Sequence, residues 1–212
     1  MKKTYDDIDE YISDLKGEIA SSPNCANHYY NLGVAYLSRR DFIEAERCFL
    51  EAVSQSPHLA EAYVQLGGIC MQRGDLDGCL NYNKEAANAR PRFAVAWGNI
   101  GFVHMQQGKP EEAVTALKKA LRWDPNFIQA LVTLASACHM LGDREQSIAL
   151  GEKAVSLEPG FAPAHNNLAV AYLDSGNMEK AAFHAALAAR HGFDVAPEVL
   201  GELAPYMENI KE

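Results

Sequence analysis

Apolar and small residues recur along this 212-residue chain with a period of 34 positions. Proline marks the period most clearly, at Pro23, Pro57, Pro91, Pro125 and Pro159. Because proline lacks a backbone N–H and disfavours the helical conformation in the residue before it, each proline marks a point where a helix cannot continue. The spacing predicts five repeats, at residues 26–59, 60–93, 94–127, 128–161 and 162–195.

Each repeat contains two helical patterns separated by a turn. Apolar or small residues at places 4, 7, 8 and 11 follow the i, i+3, i+4, i+7 spacing of one helix face. A second helix carries small residues at places 20 and 27, which allow two helix axes to approach closely. Glycine stands between the helices at Gly74, Gly108, Gly142 and Gly176. Arg40 replaces it in the first repeat, where we expect a cost of about 1 kcal/mol if the residue is left-handed.

These places resemble the tetratricopeptide repeat, which has an aromatic residue at place 4, Leu-Gly at 7 and 8, Tyr at 11, Ala at 20, Phe at 24, Ala at 27 and Pro at 32. The first repeat matches all eight places, with Tyr29, Leu32, Gly33, Tyr36, Ala45, Phe49, Ala52 and Pro57. The resemblance implies an all-α fold, an α-α superhelix or solenoid of five helical hairpins with about 12 helices. The last two repeats depart from the pattern at Ser147, Gly151, His165 and Phe193, which predicts weaker packing there.

The two ends are predicted to cap the repeats. Residues 1–25 form an N-terminal capping helix, a half-repeat whose helix is expected over 5–21. Residues 196–212 form a C-terminal capping helix that begins at Pro197 and ends or kinks near Pro205. The formal charge is −3 over residues 1–20 and −4 over 194–212, within a total of −9. Terminal repeats need polar outer faces of this kind for solubility.

One face of each first helix, formed by places 2, 5, 6, 9, 12 and 13, lies opposite the packing places, and in this family it lines the concave groove. We call it the groove face. Six places in five repeats give 30 residues, of which only Glu61 and Asp174 are charged, whereas the chain average of 22% predicts about 7. A face depleted in charge is a candidate interface.

Place 6 of the groove face is a ladder of polar, mostly amide side chains, Asn31, Gln65, Asn99, Thr133 and Asn167. Carboxamides both donate and accept, so the ladder can hold the backbone of an extended peptide. It resembles the asparagine ladders of superhelical tetratricopeptide proteins. The predicted peptide-binding residues are Tyr30, Asn31, Val64, Gln65, Met71, Asn99, Phe102, Met105, Thr133, His139, Asn166 and Asn167.

The net negative charge disfavours binding to nucleic acid or anionic lipid. No apolar run approaches the ~20 residues of a membrane span, and the acidic start does not resemble a signal peptide, so we expect a soluble cytoplasmic protein without a membrane partner. The compact, unadorned repeats indicate a bacterial origin.

Neither a phosphate-binding loop nor a metal or catalytic motif is present, which predicts a protein that is not an enzyme and has no cofactor. We expect Cys70, Cys79 and Cys138 to be reduced core residues and Cys25 or Cys48 to be exposed, with a Cys70–Cys79 redox pair as the alternative. The seven histidines are scattered and predict no zinc site.

The sequence therefore favours a non-enzymatic scaffold whose groove binds an extended, largely uncharged segment of a partner protein. Two alternatives stay open: a self-assembling homo-oligomer, with its groove filled by its own terminus or a neighbouring copy, and a regulatory subunit of an enzyme complex. The carboxylate clamp of chaperone-binding relatives is not supported, since its basic residues are missing from the groove face.

Overall fold

The computed structural model describes residues 7–207. Over that range it contains twelve α-helices. They are α1 (Ile8–Ser21), α2 (Ala26–Ser38), α3 (Phe42–Gln55), α4 (Ala60–Gln72), α5 (Leu76–Ala89), α6 (Ala94–Gln106), α7 (Pro110–Trp123), α8 (Ile128–Met140), α9 (Arg144–Leu157), α10 (Ala162–Asp174), α11 (Met178–Arg190) and α12 (Pro197–Met207). Both predicted helices of every repeat are confirmed.

The helices form two compact units, residues 7–96 and 97–207 of the described range. We call them the N-terminal and C-terminal units. In the N-terminal unit, Ile12 and Leu15 of α1 join Leu32 and Phe49 in one buried apolar cluster. The N-terminal helix therefore covers the first repeat as predicted. It begins at Ile8, after the capping residue Asp7, and residues 5 and 6 of the predicted 5–21 span lie outside the described range.

The second helices of the repeats begin at capping residues. The second helix of four repeats begins after an Asp or Asn whose side-chain oxygen accepts a hydrogen bond from a backbone N–H of the first turn. These caps are Asp41, Asp75, Asp143 and Asn177. In the third repeat Pro110 occupies the first turn of α7 instead, where its missing N–H costs no hydrogen bond.

Close approach of paired helices depends on the small residue at place 8. A Cβ atom added to Gly33 would lie 2.7 Å from the ring of Phe49, and one added to Gly101 would lie 2.4 Å from Leu117. In each case the large partner is the place-24 residue of the same repeat. The second helix therefore packs directly over the backbone of the first.

The fourth repeat reverses this arrangement. Its place-24 residue is Gly151, and a Cβ there would lie 2.8 Å from the side chain of Leu168, which comes from the next repeat. Ser147 is buried at place 20 of the same helix. The sequence predicted weaker packing at Gly151, but Leu168 fills the space that the missing side chain leaves.

Helix α12 closes the last apolar cluster of the C-terminal unit, with Leu203 fully buried against α10 and α11. The helix continues through Pro205 to Met207, so it does not end at the proline. At place 32 of this repeat, Phe193 donates its backbone N–H to the carbonyl oxygen of Ala188 at 2.9 Å. A proline in that position has no such hydrogen to donate.

The turns inside the repeats use the left-handed conformation. Gly74, Gly108, Gly142 and Gly176 have φ between 70° and 82°, and Arg40 has φ of 60°. Arg40 is the only residue other than glycine with positive φ in the described range. The expected strain at Arg40 is therefore confirmed in its geometry.

Replacing Arg40 by glycine should raise the free energy of unfolding by about 1 kcal/mol, because glycine adopts this conformation without steric cost. Urea denaturation followed by circular dichroism measures the change. The reverse substitution, Gly74→Arg, serves as the matched variant and should lower stability by a similar amount, since nothing lies within 4 Å of a Cβ at Gly74 to add a second cost. An Arg40→Gly protein no more stable than wild type would contradict the argument.

Candidate protein-binding face

In the C-terminal unit, the groove face contains an open cavity of about 350 Å³ between α6, α8 and α10. Its apolar walls include Phe102 and Met105 from α6, Val132 from α8 and Pro163 from α10. The full lining is Phe102, Met105, Gln106, Gln129, Val132, Thr133, Ser136, Phe161, Pro163 and Asn167. None of these ten side chains is charged, so the cavity combines aromatic and aliphatic surface with neutral hydrogen-bonding groups.

A smaller cavity of about 130 Å³ adjoins the first. Ser136 and Asn167 line both, and His139, Met140, Ser147 and Val170 complete the second. The two cavities are thus neighbours on one face, separated by a pair of polar side chains.

Asn167 holds this boundary by bonds within the protein. Its side-chain Nδ2 donates to the carbonyl oxygen of Val132 at 3.1 Å and to Oγ of Ser136 at 2.8 Å. Both N–H donors of the amide are therefore taken up by α8. The side chain is predicted to hold a ligand backbone; with both donors engaged, Oδ1 is the atom left to accept a hydrogen bond from such a ligand.

Two other polar side chains of this face also have partners within the protein. Thr133 Oγ1 donates to the carbonyl oxygen of Gln129 at 2.7 Å, which leaves the hydroxyl oxygen as an acceptor. His139 Nε2 lies 2.8 Å from Oδ2 of Asp174, so the one charged residue predicted for this part of the face has a partner.

The structure brings Phe102, Met105, Thr133 and Asn167 together around the larger cavity and places His139 at the smaller one. Phe102 is 42% exposed, whereas Met105 is half-buried against the core. Asn99 and Asn166 are half-buried and line neither cavity.

In the N-terminal unit the predicted residues form a shallower surface. Tyr30 packs its ring 5.7 Å from that of Phe49, and Asn31 is exposed. Val64, Gln65 and Met71 are half-buried. The charged groove residue here, Glu61, is paired with Arg90 at 2.7 Å.

Another cavity of the N-terminal unit, of about 390 Å³, lies between α1, α2 and α3. Its lining includes Lys16, Tyr29, Arg47 and Cys48 and contains none of the residues predicted from the groove face.

Phe161 is a lining residue that the sequence analysis missed. It stands at place 34, directly before α10, and the same place reads Leu59, Phe93, Phe127, Phe161 and Val195 along the chain. Gly98 shows why this place matters, because a Cβ there would lie 2.5 Å from the ring of Phe127. The apolar column at place 34 was therefore a usable signal.

All five cysteines are free thiols. Cys70, Cys79 and Cys138 are buried as predicted, and Cys25 is half-buried, but Cys48 is buried and the expectation of an exposed thiol there was wrong. Burial raises the pKa of Cys48 and of Cys79 to about 11 and also raises that of Cys70. A raised pKa disfavours the thiolate that redox chemistry needs, which argues against the Cys70–Cys79 pair.

The histidines are less scattered than the sequence indicated. His165, His184 and His191 come together in the fifth repeat, with ring centroids 5.2 and 6.1 Å from that of His165. These histidines stand at places 4, 23 and 30 of the repeat. They come together because α11 packs antiparallel against α10. Within residues 7–207 no group of three or more His, Cys, Asp or Glu side chains is arranged to hold a metal ion.

A family model described as Cilia and flagella-associated protein 70 C-terminal domain, a tetratricopeptide repeat model, matches residues 8–200. The chain belongs to this family. No curated protein matches the sequence.

Solved structures of tetratricopeptide proteins share the fold of this family member. YrrB, described as a tetratricopeptide protein with an unusual peptide-binding site, is 18% identical with a TM-score of 0.71 over 90% of this chain and 97% of its own. PilF of Pseudomonas aeruginosa is 20% identical with a TM-score of 0.76 over 87% and 85%. MamA is 21% identical with a TM-score of 0.66 over 88% and 98%. These similarities confirm the all-α tetratricopeptide fold.

Among the helices described between residues 7 and 207, none has the length and apolar character required to cross a membrane.

Replacing Asn167 by alanine should lower the free energy of unfolding by about 1–2 kcal/mol, because two hydrogen bonds between α10 and α8 are lost. Urea denaturation measures this change. Asn166→Ala, one residue earlier on the same helix, is the matched control and should change stability by less than about 0.5 kcal/mol. Equal effects of the two substitutions would show that the Asn167 bridge contributes nothing specific.

Proposed function

We propose that this protein is a non-enzymatic interaction scaffold, and that the groove face of its C-terminal unit binds an extended, largely uncharged segment of a partner protein. The supporting observation is the pair of adjoining cavities lined without a single Lys, Arg, Asp or Glu. Membership of a tetratricopeptide family agrees with a scaffold role.

The larger cavity would take one apolar anchor side chain of the partner. Its volume lies at the low end of the range of about 300–1,000 Å³ for ligand pockets. Phe102, Phe161 and Met105 offer aromatic and thioether surface, which adapts to aromatic or branched aliphatic side chains. An aromatic or leucine anchor would remove the exposed ring of Phe102 from water, and burial of that kind dominates binding hot spots.

The adjoining smaller cavity favours an extended ligand conformation. In an extended chain, side chains two residues apart point to the same side and lie roughly 7 Å from one another. A small side chain two positions from the anchor would then enter the second cavity. The amides of Gln106 and Gln129 at the edge of the first cavity can donate to and accept from the ligand backbone.

Charge next to the anchor would be unfavourable. Desolvating a charged side chain against these walls costs free energy that no opposite charge in the lining offsets. Asp174 is the carboxylate of the groove face in this unit, and its Oδ2 lies 2.8 Å from Nε2 of His139. The ligand is therefore expected to be neutral over the four or so residues that contact the cavities.

YrrB, which shares this fold, is described as having a peptide-binding site, and this supports the same class of function here. Occupation of the groove face by a second copy of this chain is the competing proposal, and concentration-dependent sedimentation separates the two. A monomer at micromolar concentration would leave the face open for a different protein. Attachment to an enzyme complex as a regulatory subunit would use the same surface.

The test is selection of random twelve-residue displayed peptides on the immobilised full chain. We expect the selected peptides to share one aromatic or aliphatic anchor with uncharged neighbours. Their affinity for Phe102→Ala should be about tenfold weaker, which corresponds to about 1.4 kcal/mol of lost contact.

Leu157→Ala provides the control, since Leu157 is similarly exposed but lies on α9, a second helix, outside both cavities. It should bind the selected peptides as wild type does. Peptides that bind Phe102→Ala with undiminished affinity, or that carry charged residues beside the anchor, would refute the assignment of the cavity.

A further inference from the structure

The fifth repeat contains a stack of imidazole rings outside the groove cavities. His165 on α10 lies between His184 on α11 and His191 at the end of α11, with interplanar angles of 29° and 18°. Tyr172 extends the stack beyond His184, parallel to it within 6° and at 5.7 Å. His165 occupies place 4, where the family pattern has an aromatic residue, and is only 3% exposed.

Hydrogen bonds fix the protonation of the two inner rings. His165 Nε2 lies 2.9 Å from the carbonyl oxygen of Pro159, and a carbonyl can only accept, so Nε2 carries a hydrogen. The Nδ1 atom of a neutral His165 is then an acceptor. It lies 2.9 Å from Nδ1 of His184, which must be the donor. Nε2 and Nδ1 of a neutral His165 are then both engaged in hydrogen bonds.

Acid is unfavourable at either ring, for a different reason at each. A proton added to His165 must go to Nδ1, where it would face the N–H of His184 and remove the shared hydrogen bond. A proton added to His184 goes to Nε2, which keeps the shared hydrogen bond but places a cation among aromatic rings. The ring of Phe183 adds to the apolar surroundings of His184. The two ring centroids are 5.3 Å apart, in an edge-to-face arrangement.

The charged groups around the pair do not compensate such a cation. Glu152 of α9 accepts a hydrogen bond from the hydroxyl of Tyr172, and Lys180 of α11 donates to the same hydroxyl at 3.2 Å. Burial lowers the pKa of His184 to about 4, with a further lowering from His165; Glu152 raises it and Lys180 lowers it. His191 stacks on the other side of His165 and supplies no negative charge there.

We propose that the hydrogen-bonded His165–His184 pair is a proton-operated latch, which fastens α11 to α10 when neutral and releases the α10–α11 hairpin when acid protonates it. The latch differs from an ordinary buried contact because two titratable rings hydrogen-bond to each other where α10 and α11 pack, in addition to the apolar cluster that joins these helices. Its stability contribution should therefore depend on pH while the other repeats remain unaffected.

The sign follows from proton linkage. His184 has an ordinary pKa of 6.5 when the hairpin is open and about 4 when it is closed, so the open form binds more protons between these values. The latch is fully stabilising above pH 6.5 and is lost as pH falls towards 4. At pH 5 the ratio of open to closed hairpin should be about 30-fold higher than at pH 7.5.

Opening would also reach the groove face, because α10 carries Pro163 and Asn167 of the larger cavity. That consequence depends on the proposed function, whereas the latch itself does not. If the protein bound no peptide, the hydrogen-exchange experiment described next would still test the latch.

Hydrogen exchange of the full chain, read by mass spectrometry at pH 7.5 and 5.0 with labelling times scaled for chemical exchange, tests the latch. The opening ratio of peptides from α11 should rise about 30-fold on acidification relative to peptides from α3. In His184→Gln, whose amide can still donate to His165 but cannot take up a proton, this excess should disappear. His58→Gln, at an exposed histidine between α3 and α4, should keep it.

An α11 that opens no more than α3 at pH 5.0, or a His184→Gln protein with undiminished acid sensitivity, overturns the proposal. If the His184→Gln substitution already raises the opening ratio of α11 at pH 7.5, the latch is tested instead by proton NMR of the histidine rings in the wild-type protein. Titration of the His184 ring below pH 5 supports the latch, and its titration near pH 6.5 refutes it.

Discussion

Close contact between the two helices of each repeat is the interaction on which the rest of the structure depends. In two repeats a residue without a side chain faces a large one, Gly33 with Phe49 and Gly101 with Leu117. In the fourth repeat the glycine is on the second helix, and Leu168 of the next repeat packs against it. Because the second helices pack over the first, the remaining face of each first helix stays open. The candidate binding surface therefore follows from how the core is packed.

Most of the fold follows from local rules that can be read along the chain. Prolines every 34 residues, capping Asp and Asn residues and turn glycines mark the helix ends, and even the strain at Arg40 is predictable from the residue that replaces glycine. Contacts between repeats are harder to predict. Leu168 fills the space beside Gly151, and the three histidines of the fifth repeat converge from places 4, 23 and 30. Such contacts depend on the distance between successive hairpins, which the period alone does not fix.

The candidate site was likewise predicted only in outline, because local helical spacing was the available signal. Helical spacing identifies which side chains share the open face, so Phe102, Met105 and Thr133 were found. It does not show which hydrogen bonds those side chains make within the protein. Asn167 is the clearest case, because its place in an amide ladder indicates ligand binding whereas its two N–H groups hold α8. The Asn167 side chain thus holds α8 against α10.

The exchange of partners at Gly151 has a consequence for engineering. In an ideal repeat array, any repeat can be replaced by a consensus copy, since each contact is supplied by equivalent places. Here a consensus phenylalanine at position 151 would occupy the volume that Leu168 already fills, so the fourth repeat could be idealised only together with the fifth. These two repeats form a matched pair rather than interchangeable modules, and rearrangements of the chain by recombination would have to keep them together.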